Sequence, residues 1–414
     1  MYAHQKAIID ADPKKCGLFL GTGSGKTFIA LLLARSRTLV ICPKTQKEDQ
    51  NWQRERTKIP NGGKITKFTV VSKEEFRRDW TMLGAYDTVI VDEAHTCLGV
   101  TPNTRSRRRV RIPKTSQLFE ALQEYLVLHK PIRVYLCTAT IMRSPMTVWG
   151  AAKVIGTDID FYDFREQFYT RLPMPFREVY APRSDNRSKD ALAKIVHSLG
   201  HVGRLEDYFD VPEQTWRTDY IETTAKQKAA LKALPLDYPD PLVCIGKKHQ
   251  VENGVLAGDE FSKPQFFENG KLDRLLDYAD EFPRIVVFAK YRAQISQIEA
   301  ALRKAGKNVL TLTGDTKERG AVILSACKAK ECVFLCQAQI SAGWELKEYP
   351  VMIFVSRTNS FVDYVQAQGR IQRADNIKKN LYIKLVVRSG VDQAVDKSLD
   401  NKQDFDERLH LGIK

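Results

Sequence analysis

The sequence predicts an α/β protein built as two parallel-sheet lobes joined by a mainly helical connecting region. Three observations predict it. Short β-rich runs alternate with helical stretches over the first 150 residues, the same rhythm resumes after Gly270, and the segment between mixes aromatics, prolines and charges without it. The expected division is 1–150, 151–265 and 266–414.

In the first lobe, buried strands are expected at residues 17–20, 38–42, 66–71, 88–91 and 134–137, with a helix after the first of them. In the second, helices are expected at 271–279 and 293–305, and strands at 284–288, 308–313, 331–336, 351–355 and 381–387. Such apolar runs, separated by helical stretches, suit strands covered on both faces.

The 414 residues carry a formal charge of +15, with 43% hydrophobic and 28% charged residues. A chain of this size suits two or three domains, and its basic excess points to a polyanionic partner. No run of 18 or more apolar residues is present, which argues against a membrane partner. The opening Met1-Tyr2-Ala3-His4-Gln5 offers no secretory hydrophobic core, so a cytoplasmic location is expected. The eight cysteines form no CxxC pair and are expected to be buried thiols.

The strongest chemical signal is Gly21-Thr22-Gly23-Ser24-Gly25-Lys26-Thr27, between an apolar strand and a helical run. Glycines let successive backbone N–H groups converge on an anion, and the following helix adds its N-terminal dipole. Gly23, Ser24 and Gly25 would cradle phosphates, Lys26 would reach the β and γ phosphates, and the Thr27 hydroxyl would bind Mg2+. The strict GxxxxGK[ST] spacing wants glycine at position 20, where this chain has Leu20.

Val89-Ile90-Val91-Asp92-Glu93-Ala94-His95 is the second signal. Carboxylates leaving a buried parallel strand emerge at the sheet edge where ligands bind. Asp92 would hold the Mg2+ shell, and Glu93 would orient or deprotonate an attacking water. Thr138 and Thr140, after the strand at 134–137, are expected to hydrogen-bond Asp92 or Glu93 and relay nucleotide state.

Gln366-Ala367-Gln368-Gly369-Arg370-Ile371-Gln372-Arg373 places Arg370 and Arg373 three apart, on one face if helical. Arginine presents a fixed fork of donors to developing γ-phosphate charge, so one or both are expected to act as arginine fingers across the nucleotide cleft. The loop of Ser341, Gly343 and Glu345 is expected to sit under a nucleic-acid backbone and order that cleft.

In this order the segments resemble the helicase superfamily 2 motor core with two RecA-like lobes, most closely a small phage-type member of the SNF2 group. The resemblance runs over nearly the whole chain. It implies ATP and Mg2+ as cofactors, with Gln5 as the adenine-reading glutamine, Lys26 and Thr27 on phosphate and magnesium, and Asp92-Glu93-Ala94-His95 as a DEAH box. Gln366 to Arg373 are similar to the sixth motif, with Gln366 on the nucleotide side. The third motif reads Thr138-Ala139-Thr140 rather than the Thr-Gly-Thr-Pro of SNF2 proteins, and Gly369 and Gln372 stand where aspartate and histidine are common.

The most basic stretch runs through Arg105, Arg107, Arg108, Arg109 and Arg111. Lacking helical or strand periodicity, it is expected to be an exposed loop that contacts phosphates, the alternative being a solvated charge run. Lys247 and Lys248 are weaker candidates. The expected function is nucleic-acid-stimulated ATP hydrolysis by a monomeric motor that translocates on or remodels duplex or branched DNA. The alternatives are a DEAH-type RNA helicase and a nucleotide-switched clamp.

Overall fold

The computed structural model describes residues 1–107, 110–172, 178–210, 212–258, 263–340, 344–372, 379–401 and 404–411, with the side chains of 106–110 and 408–409 also outside the description. The chain divides into two compact units, Met1–Asp210 and Val211–Lys414.

The first unit contains β1 (Lys15–Leu20), β2 (Arg35–Cys42), β3 (Lys64–Ser72), β4 (Thr88–Asp92), β5 (Val100–Arg107), β6 (Val110–Thr115), β7 (Arg133–Cys137), β8 (Tyr169–Leu172), β9 (Val179–Pro182) and β10 (Gly200–Gly203). Six of them form one sheet in the order β10-β1-β7-β4-β2-β3, with every neighbouring pair parallel. Alternation along the strands splits the core in two. Leu39, Ile41, Val89, Val91, Val134 and Leu136 face one apolar layer, while Val40, Cys42, Ile90, Tyr135 and Cys137 face the other. Helix Lys26–Leu33 covers the second layer with Ile29, Ala30, Leu31 and Leu33.

The second unit contains β11 (Thr215–Ile221), β12 (Val255–Leu256), β13 (Gln265–Phe266), β14 (Arg284–Ala289), β15 (Val309–Leu312), β16 (Cys332–Gln337), β17 (Val351–Phe354) and β18 (Leu381–Val387). Its sheet, β11-β18-β17-β14-β16-β15, is again six-stranded and parallel throughout. Two parallel six-stranded sheets with helical regions are the bilobed α/β architecture expected from the sequence.

The stretch 151–265 is divided between the two units. Helices Phe161–Phe168 and Asn186–Leu199 pack Phe161, Phe164, Phe168, Leu192, Val196 and Leu199 into the first core, and β10 joins the first sheet beside β1. The remainder belongs to the second unit, where β11 lies beside β18. Both are edge strands. Gly200-His201-Val202-Gly203 and Thr215-Trp216-Arg217-Thr218-Asp219-Tyr220-Ile221 need no continuous apolar run, so the pattern that marked the inner strands was missing from them.

Lys271 anchors the second unit. Its ammonium is fully buried and donates to Asn253 Oδ1 (2.6 Å), the Val355 carbonyl (2.7 Å) and Asp392 Oδ2 (2.8 Å). Asp392 also accepts from Val387 N at 2.8 Å and lies 3.2 Å from His249 Nε2. Burial alone would raise the Asp392 carboxyl, but Lys271 and His249 outweigh it and hold it well below the usual range. Burial pushes His249 down to about 4. Glu252 accepts from the backbone N–H groups of Val391 (3.0 Å) and Asp392 (2.8 Å).

Where β10 meets β1, Gly200 pairs with Gly17, and a Cβ at Gly200 would stand 2.1 Å from the Gly17 carbonyl oxygen. Gly200→Ala should force the two strands apart and destabilise the first unit by about 1–3 kcal/mol. Urea unfolding followed by tryptophan fluorescence measures it, with Gly156→Ala, where no atom lies within 4 Å of an added Cβ, as a comparison for left-handed strain without a clash.

Candidate active site

Because the first sheet is parallel, the ends of β1, β4 and β7 emerge at one edge, and three of the expected site segments follow them. The loop after β1 keeps Gly23 (φ 85°) and Gly25 (φ 84°) in the left-handed region. The left-handed backbone favours glycine at Gly25, and a Cβ there would displace the Gln5 amide, whose Nε2 would lie 2.4 Å away. Leu20 is fully buried as the last residue of β1, so the missing glycine at that position reflects a core requirement. Gly21 makes the close approach instead: its N–H donates to Gly203 O at 2.8 Å, and a Cβ would lie 3.0 Å from Leu205 N.

Lys26 Nζ donates to the carbonyls of Leu20 (2.8 Å) and Gly21 (3.0 Å), which holds the ammonium against the loop it heads. Ser24 Oγ donates to Gly21 O at 2.7 Å. Gln5 is spent on the same loop: Nε2 donates to Ser24 O at 3.3 Å, and Oε1 accepts from Tyr2 N at 3.1 Å. His4 Nε2 lies 3.0 Å from the same Ser24 carbonyl, and its ring stacks on Tyr208 at 4.0 Å. Thr27 opens the following helix, one residue after Lys26, and is half-buried.

Asp92 ends β4 and is buried. Its Oδ2 accepts from Trp52 Nε1 (3.0 Å) and its Oδ1 from Glu93 N (2.9 Å). Burial, followed by the neighbouring Glu93 charge, raises its carboxyl to about 6. Glu93 takes a left-handed backbone (φ 44°) that a side-chain-bearing residue rarely adopts. Its carbonyl accepts from Lys73 Nζ at 2.9 Å and Thr96 Oγ1 at 3.0 Å, which pins the turn. Its Oε2 is buried without a hydrogen-bond partner, 3.5 Å from His95 Nδ1. A buried carboxylate oxygen with no donor is costly, and it is suited to accept a proton from a water placed there.

The hydroxyls after β7 do something other than expected. Thr138 Oγ1 (2.8 Å) and Thr140 Oγ1 (3.2 Å) meet His95 Nδ1, not Asp92 or Glu93. His95 is the link, lying between the two threonines and Glu93. Burial, then the charges of Lys73 and Arg143, pushes its imidazole down to about 3, so it is neutral at physiological pH.

In the second unit, helix Phe361–Gln368 stops before Arg370. Gly369 caps the helix and turns the chain. Arg370 is buried, with Nε donating to Gln366 O (3.0 Å) and Nη1 to Trp344 O (2.9 Å). Gln366 is half-buried on the helix and Glu345 is exposed. Arg373, Ser341 and Gly343 lie outside the described residues.

The basic stretch is not an irregular loop. β5 and β6 pair as an antiparallel ribbon, with Arg105 opposite Ile112 and Ser106 opposite Arg111. The alternation Val110-Arg111-Ile112 carried that signal. Arg105 meets Glu120 at 2.5 Å and Arg111 meets Glu178 at 3.7 Å; Arg108, Arg109 and the side chain of Arg107 lie outside the description. Lys247 is half-buried and donates to Ala257 O at 3.1 Å, a local role; Lys248 is half-buried beside it.

Two residues of the site went unrecognised in the sequence. Trp52 is fully buried, yet its indole N–H also serves Asp92. Lys73 gave no signal at all, because nothing local marks a lysine that will be buried under a turn twenty residues ahead.

Since burial raises Asp92 above its ordinary value, its contribution to stability is full below the ordinary carboxylate range and is lost as pH rises through about 6. The Trp52 donor offsets that loss by favouring the charged form. Trp52→Phe is expected to lower stability by about 1.5–3 kcal/mol at pH 8 and by less at pH 5.5. Urea titrations at the two pH values check both size and sign.

Comparison with known proteins adds an independent observation. Residues 269–375 match the family described as the helicase conserved C-terminal domain. ATP-dependent RNA helicase DBP3 of Meyerozyma guilliermondii is 29% identical over 136 residues, covering 32% of this chain and 25% of that protein. DBP3 of Yarrowia lipolytica is 24% identical over 136 residues, covering 32% of this chain and 26% of that protein. The chain thus spans about a quarter of the length of these relatives. A Sulfolobus solfataricus SWI2/SNF2 ATPase core, solved with dsDNA, aligns over 100% of this chain and 93% of its own at 17% identity, with a TM-score of 0.39. No helix among the described residues is long and apolar enough to cross a membrane. The second unit thus carries the match to the helicase conserved C-terminal domain, and the first carries a glycine-rich loop and paired carboxylates at one edge of its parallel sheet.

Proposed function

We propose that the protein is a nucleic-acid-stimulated ATPase that uses hydrolysis to translocate along or remodel duplex or branched DNA. The observation that carries the hydrolytic part is the Glu93 carboxylate, with one oxygen buried and unpartnered beside Asp92. The residues fit the implied substrate and ion. Gly23, Ser24 and Gly25 give a loop whose left-handed glycines present backbone N–H groups, Lys26 offers an ammonium, and Thr27 and Asp92 offer oxygen donors for Mg2+. Bound Mg2+ would neutralise charge on the β and γ phosphate oxygens.

In this reading Lys26 exchanges its loop carbonyls for phosphate oxygens. Asp92 serves as an anion above about pH 6, and Glu93 takes the proton of the attacking water. Neutral His95 ties Glu93 to Thr138 and Thr140, so movement of the carboxylate is felt at the β7 edge. Arg370 and Arg373 are proposed to stabilise γ-phosphate charge during hydrolysis. For Arg370 this requires release of the Trp344 and Gln366 carbonyls. Ser341, Gly343 and Glu345 are proposed as coupling residues. The motif resemblance also suggests a phage-type SNF2 motor, and the cytoplasm is proposed as its compartment.

A second reading is an RNA motor, and one observation favours it: the two curated relatives are named as RNA helicases. Steady-state ATPase assays with duplex DNA, single-stranded DNA, forked DNA and RNA separate the readings. Glu93→Gln is expected to retain ATP binding and lose at least about 100-fold in kcat. Nucleotide binding without turnover in the unaltered protein, whatever the polymer, would overturn the motor in favour of a clamp.

A further inference from the structure

The two-stranded ribbon β5–β6 is joined to neither large sheet, and its sequence from Val100 to Thr115 carries Arg105, Arg107, Arg108, Arg109, Arg111 and Lys114 with no acidic residue. It follows the His95 turn in sequence and precedes helix Gln117–His129. Its base is fixed. Val100 is buried, Ser116 N donates to Gly99 O at 2.7 Å, and Arg165 Nη1 donates to Pro102 O at 3.4 Å. Tyr162 OH holds the Arg111 carbonyl at 3.0 Å.

The register decides how its charge is presented. The pairs Arg105–Ile112 and Ser106–Arg111 are adjacent rungs, so Arg105 and Arg111 fall on opposite faces of the ribbon. Arg111 is 70% exposed in its side chain and Arg105 is 41% exposed. Glu178 is shared, at 3.7 Å from Arg111 and 3.6 Å from Arg171 on β8, so one carboxylate faces two guanidinium groups. The surplus charge suits exchange onto phosphate.

A basic ribbon with arginine on both faces matches a groove bordered by a phosphate strand on each side. The B-DNA major groove, about 12 Å wide, admits a two-stranded ribbon. The A-form RNA major groove is deep and too narrow for it. We propose that the β5–β6 ribbon is a duplex-DNA element that enters the major groove and contacts both backbones, Arg105 on one side and Arg111 on the other. This rests on the nucleic-acid reading above and narrows it to B-form duplex.

The test measures binding directly, without turnover. Fluorescence anisotropy with a 20-base-pair DNA duplex, the RNA duplex of the same sequence and a single DNA strand is followed over a salt series. The unaltered protein should bind the DNA duplex at least about tenfold more tightly than the RNA duplex. Combined Arg105→Gln and Arg111→Gln should erase that preference and lower the log–log salt slope for duplex DNA by about 2, roughly one per lost phosphate contact. Combined Arg105→Lys and Arg111→Lys should retain most of the slope, and thermal melting shows whether each variant is folded. Equal losses on all three polymers, no loss on any, or a preference of the unaltered protein for RNA duplex would each overturn the ribbon. Duplex preference that persists while ATPase activity shows no polymer response would sink the motor and leave the ribbon standing. DNA-stimulated ATPase with unchanged duplex binding in the glutamine variant would do the reverse.

Discussion

A parallel strand cannot turn straight back beside its predecessor, so the chain must cross a face of the sheet before it pairs again. Most of this protein's architecture follows from that requirement. Each crossing lays a helix over one face, both faces become dry, and the inner strands become runs of apolar residues such as Thr88-Val89-Ile90-Val91. All strands of a sheet then end on one side. Residues as distant in sequence as Lys26, Asp92 and Thr138 therefore follow strands that finish along a common edge. The chemistry at that edge needs little invention beyond polar side chains at the strand ends or in the loops that follow.

Those polar groups are expensive to keep. Asp92 is a carboxylate in a dry place, and Trp52 and the Glu93 N–H make its charge tolerable. Glu93 is held in a backbone conformation that it would not choose, and Lys73 sits beneath to hold it. The second unit solves a different problem with similar means. There the buried charges of Lys271 and Asp392 neutralise each other, and amide, carbonyl and imidazole groups take up the remaining hydrogen bonds. The first site leaves a carboxylate oxygen without a partner; the buried pair around Lys271 is satisfied.

The sequence made the inner strands and the segments after β1 and β4 legible, because an apolar run followed by glycines or carboxylates is a local pattern. It did not expose β10 and β11, since these two edge strands carry no such run. The arginine stretch was legible as charge but not as a ribbon, because pairing between residues 105 and 112 is invisible along the chain until Val110-Arg111-Ile112 is read with period two. Thr138 and Thr140 were recognised, but their partner was misassigned: that His95 rather than a carboxylate meets them depends on ångström-scale geometry at the sheet edge. Arg370 illustrates a different limit: its spacing suited a helix, and Gly369 ended the helix before it.

The network around Lys271 has a consequence for how this chain can vary. Its members come from four separated segments: Asn253 after one helix, Lys271 within another, Val355 beyond β17 and Asp392 beyond β18. Because these side chains are buried, replacing any one of them leaves a partner's hydrogen bond or charge unmet. Single steps away from this arrangement are blocked in every direction. Descendants of the sequence should therefore hold Asn253, Lys271 and Asp392 as a set or exchange them as a set, while the solvent-facing residues around them drift independently.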